Sequence, residues 1–114
     1  MSQHHRIRIE DGTVRFEKRG WFGAWPLRAE LGVDAVRRIR LDVHNHGAFD
    51  ITRLTLETAS AAHASEDDEP GHDALWTWLE RHFDIDPAEW QGAARDHIIA
   101  SPGTPMQLVI WERR

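Results

Sequence analysis

A chain of 114 residues with 40% hydrophobic and 29% charged side chains has the size and composition of one globular domain spanning 1–114, not of a disordered chain. It carries no cysteine, which excludes disulfides, thiolate metal sites and a cysteine nucleophile. The net charge of −5 is uneven: residues 1–57 hold ten basic and eight acidic side chains (+2), residues 58–114 four and eleven (−7), and no strong basic cluster recommends a nucleic-acid ligand.

Arg6-Ile7-Arg8-Ile9-Glu10 and Val14-Arg15-Phe16-Glu17 alternate apolar and charged residues around Asp11-Gly12, the dipeptide that a tight hairpin turn favours. The pattern predicts Ile7, Ile9, Val14 and Phe16 inside, with Arg8, Arg15 and Glu17 in water. After the aromatic, glycine-rich Gly20–Pro26 segment, a third strand covers Leu27–Leu31 and a bend covers Gly32 to Val36. Val36, Ile39, Leu41 and Val43 lead a fourth strand, with Arg38, Arg40 and Asp42 on its other face. Thr52–Thr58 is a fifth strand, Ser60–Ser65 a short edge strand, and Glu66–Gly71 a solvated loop.

The period then changes. Leu75, Trp78, Leu79, His82 and Phe83 mark one face of a helix, and Trp76, about 200° from Trp78, is expected on a different side. Asp86-Pro87-Ala88-Glu89 combines an N-cap, a first-position proline and a capping-box glutamate, with Trp90, Ala93, Ala94 and Ile98 as the inner stripe. Met106–Trp111 returns as a strand. The expected fold is α+β: an antiparallel curved sheet of about six strands, one or two helices from the C-terminal half on one face, and a final strand.

Val36-Arg37-Arg38-Ile39, Asp42, Asp50, Leu54-Thr55-Leu56-Glu57, Trp78-Leu79, Trp90 and Ile110-Trp111-Glu112-Arg113 together resemble a group of small uncharacterised bacterial proteins. That resemblance carries over nothing catalytic; the order of elements is itself similar to a pleckstrin-homology-like curved sheet plugged by a helix, a plan from which the strand after the helices departs. A start without a secretory signal and the absence of a ~20-residue apolar run make a cytoplasmic location, away from membranes, the expectation.

Three function classes compete. The first is a non-enzymatic protein-binding module, with Trp21, Phe22 and Trp25 as the partner-binding residues, since tryptophan is enriched at binding hot spots; the same rings could instead close one end of the sheet as a lid. The second is an immunity-type inhibitor whose acidic second half covers a basic toxin. The third is a small metal-binding enzyme built on Asp42, His44, His46 and Asp50, because two histidines and a carboxylate can hold zinc or iron(II); the competing reading is a polar turn. Arg37, Arg38 and Arg40 suggest a phosphate clamp, against which stands a cross-strand ion lattice. Nucleophile-elbow, phosphate-loop and dinucleotide motifs do not occur. No cofactor is implied, and homo-oligomerisation stays open.

Overall fold

A computed structural model describes residues 5–45 and 47–114. Seven strands occur in the order β1 (His5–Glu10), β2 (Thr13–Lys18), β3 (Leu27–Leu31), β4 (Arg38–Asn45), β5 (Asp50–Glu57), β6 (Ala62–Glu66) and β7 (Met106–Glu112). Helices α1 (His72–Phe83) and α2 (Pro87–Ala100) lie between β6 and β7. The expected α+β class is therefore observed, but its single sheet of about six strands is two antiparallel sheets, ordered β1-β2-β3 and β6-β5-β4-β7. The bend at Gly32 to Val36 carries the chain from the first sheet to the second.

The first hairpin follows from its turn. Asp11 and Gly12 both take positive φ, 52° and 77°, and fix the register that pairs Ile7 with Phe16 and Ile9 with Val14. Ile7, Val14 and Phe16 are buried. Ile9 is partly exposed instead, lining a shallow groove with Trp78 and Thr77 of α1. Glu17, expected in water, is only 3% exposed: Arg6 pairs with it at 2.6 Å, and Arg8 and Arg15 close over it at 3.7 and 3.6 Å. Three long arginine stems exclude water from this carboxylate, which position-by-position alternation does not foresee.

Ile39, Leu41 and Val43 of β4, with Leu54 and Leu56 of β5, form the inner face of the four-stranded sheet. They share one core with the first sheet and α1. In α1, Leu75, Trp76, Trp78, Leu79 and Phe83 are all buried. Trp76 and Trp78 escape the 200° conflict because α1 is covered on two sides. Trp78 donates its indole N–H to the Gly12 carbonyl at 3.0 Å, while Trp76 faces a cavity lined by Ala94 and Ile98 of α2. His82, expected on the apolar face, is exposed and leans on the Trp78 ring at 5.5 Å.

The N-terminus of α2 is capped as expected: the Asp86 carboxylate accepts the Ala88 N–H at 3.0 Å and Pro87 opens the helix. Trp90, Ala93 and Ile98 are half-buried and Ala94 is fully buried. His97, without a role in the sequence, bonds the Thr104 carbonyl at 2.7 Å and ties α2 to the turn before β7. In β7, Trp111 packs edge-on against Phe83 with centroids 4.6 Å apart.

The segment expected as a free loop, Glu66–Gly71, is stitched to both sheets. The Asp67 N–H donates to Thr52 O at 2.9 Å, and the Ile7 N–H donates to Pro70 O at 2.8 Å. Glu69 is buried, whereas Asp67 and Asp68 are exposed. Gly71 follows with φ of +89°, pressed so closely on Ile7 that a Cβ there would lie 1.9 Å from the Ile7 carbonyl oxygen.

Candidate functional site

The connection from β2 to β3 is a compact projection held by its own backbone. The Gly20 N–H donates to Ala24 O at 2.8 Å, the Ala24 N–H to Trp21 O at 3.1 Å, and the Lys18 N–H to Pro26 O at 3.2 Å. Gly20 sits against the Pro26 ring, 2.9 Å from where its own Cβ would be, so the base of the loop admits little else. Trp21–Gly23 forms a single 3-10 turn, with Phe22 in the left-handed region at φ 58°, ψ 33°.

That turn aims two aromatic rings outward: Trp21 is 86% exposed and Phe22 fully exposed, with Leu27 partly exposed beside them in sequence. Trp25 differs. It is half-buried, and the Arg6 guanidinium stacks over its ring at 4.3 Å. Of the three aromatic candidates, Trp21 and Phe22 form the free tip and Trp25 forms part of its support. No carboxylate occurs between Glu17 and Glu30. Lys18, Arg19 and Arg28 are exposed, and among the described residues they form no ion pair.

The three described metal candidates, Asp42, His44 and Asp50, are not gathered into one site. Asp42 and His44 share the outer face of β4, as their spacing requires. His46 lies outside the described residues. Asp50 pairs across the ladder with Asn45, which puts it on the opposite face from His44. Its carboxylate accepts the Asn45 side-chain N–H at 3.2 Å and the Gly103 N–H at 3.1 Å, a clamp between the β4–β5 turn and the α2–β7 turn. His44 lies 3.6 Å from the Glu66 carboxylate. Among the described residues, no cluster of three or more histidine, aspartate or glutamate side chains is placed to hold a metal ion.

The arginine cluster forms the cross-strand lattice. Arg38 bonds Glu57 and lies 3.6 Å from Glu112, and Arg40 lies 3.6 Å from Glu57. The Arg38 hydrogen bond holds the Glu57 carboxyl below its usual range. Asp42, at the centre of this face, is buried, and desolvation raises its carboxyl despite the opposing pull of Arg40, Arg53 and His44. Arg37 is exposed and, among the described residues, forms no ion pair in this lattice.

One buried polar chain was not anticipated. Trp76 donates its indole N–H to His72 Nε2 at 3.2 Å. The neutral His72 ring therefore carries its proton on Nδ1 and donates it to Ser65 Oγ at 2.8 Å. Glu69, close by in the chain, is also buried, and among the described residues its Oε2 has no hydrogen-bond partner. Burial pushes the His72 imidazole below 6.5, outweighing Asp67, Asp73 and Asp68, which favour its charged form. An imidazole held neutral contributes stability that is complete above the unfolded-state value of 6.5 and is lost as pH falls below it through the folded-state value. Glu69, raised by burial, has the opposite sign, so the His72 contribution is isolated by a variant. Thermal melts should therefore fall with acidification below pH 6.5 more steeply in the native chain than in His72→Gln. Parallel curves would remove His72 as the source.

Ser65 and His72 do not make a nucleophile pair: both are buried, and Nε2 is already occupied by the Trp76 donor. Among the described residues, no helix is long and apolar enough to cross a membrane. Compared with protein-family models, with curated proteins and with solved structures, the chain matches none.

Proposed function

We propose that the chain is a non-enzymatic protein-binding module that takes hold of its partner with the Trp21–Phe22 tip. The observation that carries this reading is that a loop with a fixed backbone holds two aromatic rings almost wholly in water. Placing a phenylalanine in the left-handed region costs roughly 1–2 kcal/mol, and full exposure returns none of it within the chain. A lid over the sheet end would bury these rings; this tip projects them. Large apolar rings on a preformed loop supply contact area with little ordering cost on binding.

The test is a pull-down with the tagged full chain as bait beside Trp21→Ala/Phe22→Ala. The double variant should lose the specifically captured protein while its stability stays within about 0.5 kcal/mol of the native chain. Phe22→Gly alone should be stabilised by roughly 1 kcal/mol as the left-handed penalty is relieved. A marked fall in melting temperature for Trp21→Ala would instead assign the tip a structural role.

A further inference from the structure

Resting on the tip as a docking element, we infer that one partner it fits is a second copy of this chain, received in the cavity between α1 and α2. That cavity measures about 350 Å³, near the lower end of the roughly 300–1,000 Å³ range that accepts a small ligand. Ile98 and Ile99 supply most of its apolar wall, with the buried Trp76 ring at its floor, and Ile99 is 72% exposed. Asp67 and Asp73 stand at its edge, with Arg95 on the α2 side.

The two surfaces complement each other in kind and in charge. The tip offers Trp21 and Phe22 flanked in sequence by Lys18, Arg19 and Arg28, none of them ion-paired among the described residues. The cavity offers an apolar wall edged by two exposed aspartates against one exposed arginine, Arg95, a rim of net negative charge in the half of the chain that carries −7 against +2 for the half bearing the tip. Opposed charge on two patches steers encounter and fixes orientation, while ring burial supplies most of the attraction. A patch meeting a different patch closes into a two-fold dimer where each tip enters the other copy's cavity, and otherwise grows head to tail into a ring or a short filament. Two rings bring about 300–500 Å² of surface, well under the roughly 1,600 Å² of a stable interface. The association belongs to the weak, concentration-dependent class.

Sedimentation velocity of the full chain from micromolar to millimolar concentration tests this. The native chain should pass from monomer to larger species, and less so at high salt. Trp21→Ala/Phe22→Ala has a dead tip and an intact cavity; Ile99→Arg has the reverse, at a site exposed enough to leave folding intact. Each alone should stay monomeric, and an equimolar mixture should form a 1:1 dimer and nothing larger. A native chain that stays monomeric throughout overturns the inference, as does a mixture that fails to dimerise. If another protein is still captured through the tip in that case, the docking reading stands and only the second-copy assignment falls.

Discussion

Gly71→Ala is expected to lose about 3–5 kcal/mol of stability, among the largest effects of any single methyl in this chain. Two penalties add at this position. At φ of +89° any L side chain is strained, which alone costs roughly 1–2 kcal/mol. The new Cβ would also sit 1.9 Å from the Ile7 carbonyl oxygen and 2.8 Å from its carbon, and backbone cannot swing aside as a flexible side chain can. Relief requires displacing β1 or breaking the Ile7–Pro70 hydrogen bond that joins the first sheet to the start of α1. Circular dichroism melts should drop by more than about 10 °C. Gly92→Ala is the control: it lies within α2, nothing comes within 4 Å of its Cβ, and it should gain roughly 0.5–1 kcal/mol. A Gly71→Ala melt close to the native one would mean that the Ile7 contact is not closed in solution.

Trp78→Ala is expected to cost about 3–5 kcal/mol, the usual loss for a large aromatic removed from a core. The ring is buried edge-on against Phe83 at 5.4 Å, Phe83 in turn packs edge-on against Trp111, and the indole N–H reaches the hairpin turn at Gly12. Trp78→Phe separates the two contributions. It keeps most of the apolar volume but leaves the Gly12 carbonyl without its donor, at a cost of about 1–2 kcal/mol. Urea unfolding of both variants beside Trp21→Ala should give the order Trp78→Ala, Trp78→Phe, Trp21→Ala, with the last near zero. An inverted order would reverse the assignment of core and tip tryptophans.

How far these assignments are legible in the sequence depends on their range. The hairpin at Asp11-Gly12, the β4 alternation of Ile39, Leu41 and Val43, and the Asp86-Pro87 helix start are set by residues within a few positions of one another, and periodicity finds them. The division into two sheets is not local. It depends on what β4 pairs with, and nothing in Arg38–Asn45 reports that Met106–Glu112 lies beside it. Glu17 reads as an exposed residue until three arginines from two strands are brought over it. Trp76 reads as misplaced until α2 covers the second side of α1. His72 was findable: with Leu75, Trp76 and Leu79 it falls at helical spacing on one stripe, although its position beside acidic residues suggests solvent. At the candidate site the composition of Gly20–Pro26 marks the aromatic rings, but tip and lid differ only in whether another element covers them. Among the described metal candidates, Asp50 parts from Asp42 and His44 for a local reason, since a one-residue step along β5 puts it on the face opposite His44.

The placement of β7 also bears on how the molecule assembles. The first sheet is a meander whose partners lie close along the chain, so it can form early and at small loop-closure cost. The second cannot be completed that way: β4 must wait for a strand that pairs Arg38 with Glu112, beyond both helices. Until then Ile39, Leu41 and Val43 have β5 on one flank only, and the β4 edge is open to strands of other chains. Closing that pairing joins the two paired strands that lie furthest apart in the sequence, and by contact-order reasoning it sets the pace of folding. During synthesis, the interval between the emergence of β4 and that of β7 is when this chain is most open to aggregation.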